Sequence, residues 1–310
     1  MRFHKALLFY SSNFGIKTAI KLVFVPRMRS FFKKPSGYTD RLVDWFFNLF
    51  ARNCLIYQKE NTQSSDRETI ETSNIIWTLW WQGKEDMPYI IQKCHQSLRK
   101  NSNGREIRLL DKDNYNNYFE LPKQIEEKLK KKKISFTHLS DIIRLIVITK
   151  YGGLWVDAAI FVTHPIVASG QFYSVNITKN ASPDYPFGRW VIGVMGCGKN
   201  YQPLCFVRDC LIDYWKRYNA AVDYLMFDHI MLLAYMKLSE FKEDVDALSP
   251  SLGNIHGSRY LFNKEADPQR FKELVNNNDF LSLTWRFPYN EFTDDGKETY
   301  WGMLLNKYDK

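Results

Sequence analysis

Three charged side chains in the middle of this chain have the types and the spacing to hold a polar ligand. Asp141 and Arg144 are three residues apart in an otherwise apolar stretch, so on a helix they share one face. Asp157 follows a Gly-Gly pair and a short apolar run, which places it at the C-terminal end of a predicted strand. Ligands of open α/β sheets bind at that end of the strands. These three residues are therefore the first candidates for a functional site.

Two interpretations of Asp141 and Arg144 follow from their position. A carboxylate and a guanidinium on a mostly apolar helix can form a buried ion pair that sets how the helix packs. The same two groups, held on a rigid helix, can also donate to and accept from the hydroxyls of a sugar. Asp157, placed after the Gly-Gly turn, favours the second interpretation.

The elements around these residues predict an α/β fold. A helix is expected from Phe136, with Thr137 as its N-cap and Asp141 in its first turn, and it ends at Tyr151-Gly152-Gly153. Further strands are predicted at 75–81, 106–110 and 154–156, with helices at 87–98, 112–118 and 122–133 between them. Strands that alternate with helices indicate a mostly parallel sheet.

Several ordered motifs resemble those of the capsular polysaccharide synthesis proteins and, more distantly, the family 32 glycosyltransferases with their DXD sugar-binding motif. The pattern S-D-x-x-R at 140–144 precedes Y-G-G-x-W-x-D at 151–157. The resemblance also covers IIWTLWWQGKEDMP from residue 75, then CHQSLRKN, and RLLDKDNYNNYFELP. It is good over residues 75–165 and loose beyond them.

The resemblance implies a GT-A-like nucleotide-sugar-binding fold and transfer of a sugar to a growing capsular or other cell-surface polysaccharide, with retention of anomeric configuration. In that family pattern Asp141, Arg144 and Asp157 form the catalytic site. The implied partners are a nucleotide sugar, such as a UDP-sugar, and a glycan or lipid-linked oligosaccharide acceptor. The implied donor-binding residues are Trp80, Gly152, Gly153 and Trp155.

The metal site departs from the family pattern, because Ala159 stands where a DXD motif has its last carboxylate. A divalent cation, Mn²⁺ or Mg²⁺, is still expected at Asp157, with Asp228, His229 or His256 as the additional ligand. For His229 a structural role is the leading interpretation, and His256 lies in a glycine-flanked loop. The alternatives are that lysine or arginine replaces the metal, or that the protein is a non-catalytic subunit of a polysaccharide assembly complex.

Composition limits the class of protein further. The chain has 310 residues and a net charge of +9, which favours anionic partners such as nucleotide phosphates or anionic lipid. No nucleic-acid-binding motif accompanies the charge, so nucleic acid is not expected as a partner. The lysine run at 128–133 is interpreted as a solvated helix end, and phosphate binding is its alternative.

The N-terminal segment differs in composition from the rest of the chain. Residues 1–35 combine aromatic and aliphatic side chains with lysine and arginine and contain no acidic residue. This predicts attachment to the inner face of the cell membrane, with packing on the catalytic domain as the alternative. The expected domains are a helical segment with a polar linker at 1–70 and a transferase domain at 71–310. Five cysteines without a C-x-x-C pair favour a reducing cytoplasm.

Overall fold

The computed structural model describes residues 3–31, 37–52, 68–179, 188–257 and 259–308. The chain forms two compact units, each built from separate stretches of sequence. The first comprises residues 1–67, 119–149 and 200–243, and the second comprises 68–118, 150–199 and 244–310. The division into 1–70 and 71–310 stays a prediction, and most of the predicted linker lies outside the described residues.

The second unit contains all the strands of the described chain. They are β1 (Ile75–Leu79), β2 (Glu106–Leu110), β3 (Gly153–Val156), β4 (Ile160–Val162), β5 (Phe172–Ser174), β6 (Val194–Cys197) and β7 (Phe280–Ser282). Five of them form a sheet in the order β2-β1-β3-β6-β5, while β4 and β7 pair antiparallel as a second, two-stranded sheet. In the large sheet β1 is parallel to β2 and β3, and β6 is antiparallel to both of its neighbours. Four of the five strands therefore share one direction, which confirms the predicted mostly parallel sheet.

Burial explains why the sequence forms strands here. All of β3 and the first four residues of β1 are buried, as expected for central strands covered on both faces. Strand β2 lies at the edge, and Glu106 and Arg108 form an ion pair on its exposed part. The helices of this unit are Ile70–Ser73, Tyr89–Lys100, Pro268–Asn276 and Tyr300–Tyr308.

The helix that carries Asp141 spans Phe136–Tyr151 and extends from the first unit into the second. Ser135 caps the N-terminus of this helix, because its hydroxyl oxygen accepts a hydrogen bond from the His138 N–H at 3.3 Å. The predicted cap at Thr137 is therefore wrong by two residues, and Asp141 lies beyond the first turn. An N-cap residue stands immediately before the first helical residue, where its side-chain oxygen reaches the free N–H groups of the first turn. Ser135 occupies that position, since the helix begins at Phe136.

Gly152 and Gly153 end this helix as predicted. Both have positive φ, 72° and 99° respectively, which disfavours residues with a side chain. Space is a second constraint, because a Cβ at Gly152 would overlap Ser73 and one at Gly153 would lie 2.5 Å from the Ile75 carbonyl oxygen. The two glycines allow β3 to lie directly against β1.

Helices are the regular secondary structure of the first unit's described residues, with turns between them. Besides most of Phe136–Tyr151, they are Phe3–Phe14, a continuous run at 16–31, a second run at 38–50, Lys123–Lys130, Gln202–Arg217, Met226–Lys237 and the first part of Ser239–Asp246. Both runs contain π-helical turns, at Ile20–Phe24 and Arg41–Phe47. Phe46 and Phe47 of the second run pack on Tyr214 of the Gln202–Arg217 helix. Lys128 donates to the carbonyls of Lys216 and Tyr218, so this lysine completes a helix C-terminus.

The predicted helix at 112–118 is a single short turn, Tyr115–Asn117. Asp111 explains the difference, because its carboxylate accepts from the N–H groups of Asp113 and Asn114. Such a side-chain turn satisfies the backbone locally and competes with helix formation.

Candidate functional site

The carboxyl ends of β1 and β3 lie side by side at one edge of the large sheet. The two strands are parallel, with Trp77 opposite Trp155, so Asp157 leaves β3 beside the end of β1. Trp80 follows β1 by one residue. This is the edge at which α/β proteins bind ligands, and it brings a carboxylate and an indole to the same place.

The Asp157 carboxylate is held in position by its own strand and by a neighbouring loop. The indole Nε1 of Trp155 donates to Asp157 Oδ1 at 2.6 Å, which is short for this type of bond. The Asp157 N–H donates to the Gly193 carbonyl at 2.8 Å. A Cβ at Gly193 would lie 2.9 Å from Oδ2, so a side chain at that position would displace the carboxylate. Asp157 is therefore a pre-oriented charge at the strand end.

The predicted donor-binding residues have different surroundings. Trp80 is half-buried, and its ring meets that of Trp285 edge to face at 5.9 Å, which forms an aromatic wall next to the strand ends. Trp155 is fully buried and contacts Asp157 through its N–H. Gly152 and Gly153 are enclosed by Ser73 and Ile75. Donor binding by these four residues stays a prediction, and only Trp80 has the exposed face that base stacking requires.

His256 belongs to the electrostatic surroundings of Asp157, although the two are 99 residues apart in the sequence. Loss of hydration lowers the pKa of His256 most, and the positive charge of Arg259 lowers it further. The charge of Asp157 raises it by less, so the pKa of His256 stays below its usual value. The imidazole is neutral near pH 7, which is the form that binds metal ions.

Asp141 and Arg144 form an ion pair in the first unit. Arg144 Nη1 donates to Asp141 Oδ1 at 3.2 Å, and the two residues are 3% and 5% exposed respectively. His138 Nδ1 lies 3.7 Å from the other carboxylate oxygen, and the guanidinium lies over the Phe227 ring at 5.5 Å. The predicted pairing on one helix face is confirmed, and the pair is nine-tenths buried. Its action on a sugar stays a prediction.

Asp228 and His229 are also buried residues of the first unit, on the Met226–Lys237 helix. His229 Nε2 lies 3.2 Å from Asp223 Oδ1, and the Tyr38 hydroxyl donates to Asp223 Oδ2 at 3.1 Å. Burial tends to raise the pKa of Asp223, but the hydrogen bonds from His229, from the Leu225 N–H and from Tyr38 lower it overall. His229 thus takes part in a buried polar network, which supports its structural role.

Comparison with known proteins identifies the family of this chain. The family described as capsular polysaccharide synthesis protein matches residues 43–304, most of the chain. The chain belongs to this capsular polysaccharide synthesis family. Among solved structures, the PaToxG glycosyltransferase is similar at 14% identity and a TM-score of 0.41, over 64% of this chain and 79% of that one. No curated protein sequence matches significantly.

The metal ligands predicted from the sequence lie in both units. Asp157 and His256 belong to the second unit, whereas Asp228 and His229 belong to the first. Within the described parts of the chain, no three His, Cys, Asp or Glu side chains group together in a way that would hold a metal ion. Asp157 and His256 offer one oxygen and one nitrogen donor, a set that suits Mn²⁺ when a ligand supplies further oxygens.

Two residues at this edge were not identified from the sequence. Arg259 donates to Ser282 Oγ at 2.9 Å and lowers the pKa of His256, yet nothing in its local sequence distinguishes it from a surface arginine. Trp285 lies three residues beyond the end of β7 at Ser282. Only the structure shows that its indole is exposed beside Trp80, a feature that often marks a binding site.

Proposed function

We propose that this protein is a glycosyltransferase that moves a sugar from a nucleotide-sugar donor to a growing capsular or other cell-surface polysaccharide. The observation that carries the proposal is Asp157, a carboxylate oriented by Trp155 at the end of the central strand β3. Family membership supports the same conclusion, because building a capsule requires the repeated formation of glycosidic bonds.

The chemistry of this transfer makes three demands on the protein. It has to bind the nucleotide, offset the negative charge that develops on the leaving diphosphate, and hold an acceptor hydroxyl at the anomeric carbon. In the proposed arrangement, Trp80 and Trp285 supply the aromatic surface for the base. Asp157 positions the diphosphate of the donor by holding the metal ion that neutralises it. The donor we propose is a UDP-sugar.

A divalent cation, Mn²⁺ or Mg²⁺, would be held at Asp157, whose carboxylate is a hard oxygen ligand suited to such ions. Such a cation offsets the charge of the leaving group. Asp157 would hold it by an oxygen and His256 by a neutral imidazole nitrogen, and the donor phosphates supply the remaining oxygens. Ala159 contributes no ligand, so the site depends on Asp157 more strongly than a site with two aspartates would.

Asp141 and Arg144 are proposed to bind the donor sugar, in agreement with the S-D-x-x-R motif. Their ion pair gives the guanidinium a fixed orientation, which suits a donor to sugar hydroxyls. We further propose retention of anomeric configuration, with the leaving phosphate accepting the proton of the acceptor hydroxyl.

The function is tested by a panel of nucleotide sugars offered to the purified full chain with Mn²⁺. We expect one donor to bind with micromolar to millimolar affinity and to hydrolyse slowly when no acceptor is present. Calorimetry measures the binding, and released nucleoside diphosphate measures the hydrolysis. Binding of no nucleotide sugar, with or without metal, would contradict the proposal.

A second function is favoured by one observation, the replacement of the last DXD carboxylate by Ala159. A protein that has lost donor binding can keep the fold and act as a subunit of a polysaccharide assembly complex. In that case the full panel gives no donor binding, while the chain still associates with other proteins of the assembly.

We propose peripheral membrane attachment through the helical run at 16–31. In the described residues, no helix is both long enough and apolar enough to cross a bilayer. The run instead exposes apolar side chains at four-residue intervals, with Ile16 70% exposed. They are Ile16, Ile20, Phe24 and Met28. Lys17 and Lys21 are exposed beside them, and this combination suits a helix lying in an anionic lipid surface.

Replacing Ile20 and Phe24 by serine is expected to weaken sedimentation with anionic vesicles about tenfold, because two partly inserted apolar side chains are lost. Raising the salt concentration should weaken the binding of the wild-type chain as well, since lipid attraction of this type is screened. The matched control replaces Val167, an exposed apolar residue of the second unit, by serine. Equal vesicle binding by all three proteins would refute the attachment site.

A further inference from the structure

The second unit contains a large cavity with both polar and apolar lining beside the edge strand β5. Its volume is about 620 Å³, and it is lined by residues 169–176, 247–252 and 276–280 together with Asp244 and Ile255. Asp157 is not among the lining residues. The cavity is therefore separate from the strand-end site.

The charge of the cavity lining differs from that of the protein as a whole, which carries a net charge of +9. The chain has 43 lysine and arginine residues, but none of them and no histidine lines the cavity. About half of the lining residues carry hydroxyls or amides, including Ser169, Gln171, Ser249, Asn276 and Asn277. The carboxylates present belong to Asp244 and Asp279. A ligand with phosphate groups would meet no compensating cation, whereas an uncharged polyol would find many hydrogen-bonding partners.

Tyr173 supplies an aromatic surface among these polar groups. It is half-buried in β5, where burial and the charge of Asp279 raise the pKa of its hydroxyl to about 12. The phenol therefore keeps its proton and its capacity to donate a hydrogen bond at neutral pH. A ring with an apolar face and a polar end suits the C–H face and the hydroxyls of a sugar.

The cavity lies near the strand-end site, because β5 and β3 belong to the same sheet. Strand β5 is two strands from β3 in the sheet, a distance of about 10 Å. Ser174 of β5 pairs with Met195 of β6, and Met195 pairs with Trp155 of β3. Two residues further along β5 and β3, the same register places Asn176 level with Asp157. The loop after Pro250 contributes Ile255 to the cavity, and the next residue is His256.

We infer that this cavity binds the acceptor, as an uncharged glycan chain whose growing end extends towards Asp157. The inference rests on the proposed transferase function, for which it names the acceptor class and its binding site. It separates the cavity for the uncharged acceptor from the strand end at which Asp157 is proposed to bind the diphosphate of the donor.

The test measures binding of uncharged trisaccharides, namely chitotriose, cellotriose and maltotriose, to the full chain without donor. Trigalacturonic acid and inorganic pyrophosphate serve as anionic comparisons. We expect at least one uncharged trisaccharide to bind, and the Tyr173→Ala and Asn277→Lys variants to bind it about tenfold more weakly. Asn277→Lys should also bind trigalacturonic acid more tightly than the wild-type chain, because it adds a cation to the cavity.

The matched control is Asn116→Lys, which makes the same change at an exposed position outside the cavity and should bind like the wild type. Asp157→Asn should keep trisaccharide binding. Melting temperatures identify any variant that fails to fold, and Asn277 is exposed, so its variant remains informative if Tyr173→Ala unfolds.

Three results would overturn the inference: no trisaccharide binding by the wild type, loss of binding in Asp157→Asn with retention in both cavity variants, or displacement of the trisaccharide by pyrophosphate. The donor panel is a separate measurement. Trisaccharide binding in the cavity together with no donor binding would mean that the transferase function fails while the glycan site stands.

Discussion

Asp157→Asn is expected to lower glycosyl transfer about a hundredfold or more and to remove the dependence of donor affinity on Mn²⁺. The physical reason is that Ala159 offers no second carboxylate, so the cation loses its one anionic protein ligand when Asp157 becomes an amide. Asparagine keeps the shape of the side chain and its contact with Trp155, so the change isolates the charge. Calorimetry of donor binding with Mn²⁺ and with chelator provides a readout that does not depend on turnover.

The control for this experiment is Asp113→Asn, which removes an exposed carboxylate after β2 that pairs with Lys112. We expect its donor affinity and turnover to match those of the wild type. Trp155→Phe is a useful third variant, because it removes the N–H that orients Asp157 but keeps an aromatic ring. It should weaken donor binding less than Asp157→Asn does. Donor affinity that needs neither the metal nor Asp157 would rule out the metal-dependent arrangement.

Asp141→Asn and Arg144→Lys are expected to lower turnover about a hundredfold while the melting temperature falls much less than complete loss of the pair would cause. Lysine keeps the positive charge but loses the planar fork that binds a sugar or a carboxylate at two points. Removing one partner of a buried pair costs about 3–5 kcal/mol, and these two changes keep size or charge to limit that cost. Steady-state kinetics and thermal melts of the same preparations separate the two effects.

The matched control lies in the same unit. Arg217 and Asp213 form an ion pair on one exposed helix face with a distance of 2.8 Å between nitrogen and oxygen. Asp213→Asn removes the same kind of charge without burial, so both stability and turnover should stay close to wild type. If the two buried variants instead lose several degrees of melting temperature and activity follows the folded fraction, the pair of Asp141 and Arg144 is structural.

Local sequence was sufficient for the elements that carry the site. The apolar runs predicted at 75–81 and 106–110 form strands because their β-branched and aliphatic side chains suit a buried sheet. The first strand ends two residues early, at Leu79, and β2 has the predicted bounds. The Gly-Gly pair ends the helix and leads into β3, because both residues have positive φ and glycine adopts that conformation without steric cost. The N-cap was wrong because Thr137 and Ser135 are equally suitable by residue type, and only the hydrogen-bond geometry selects Ser135.

The sequence by itself determined the order of the elements, the family, and the position of Asp157 at the end of a strand. These features depend on periodicity and on motifs within short stretches of the chain. Only the tertiary structure brought Asp157 and Arg259 near His256, placed Trp285 against Trp80, and formed a cavity without lysine, arginine or histidine in its lining. These features join residues about 100 or more positions apart in the chain. Their proximity is set by how the strands and loops pack, and no local pattern of residue types encodes that packing.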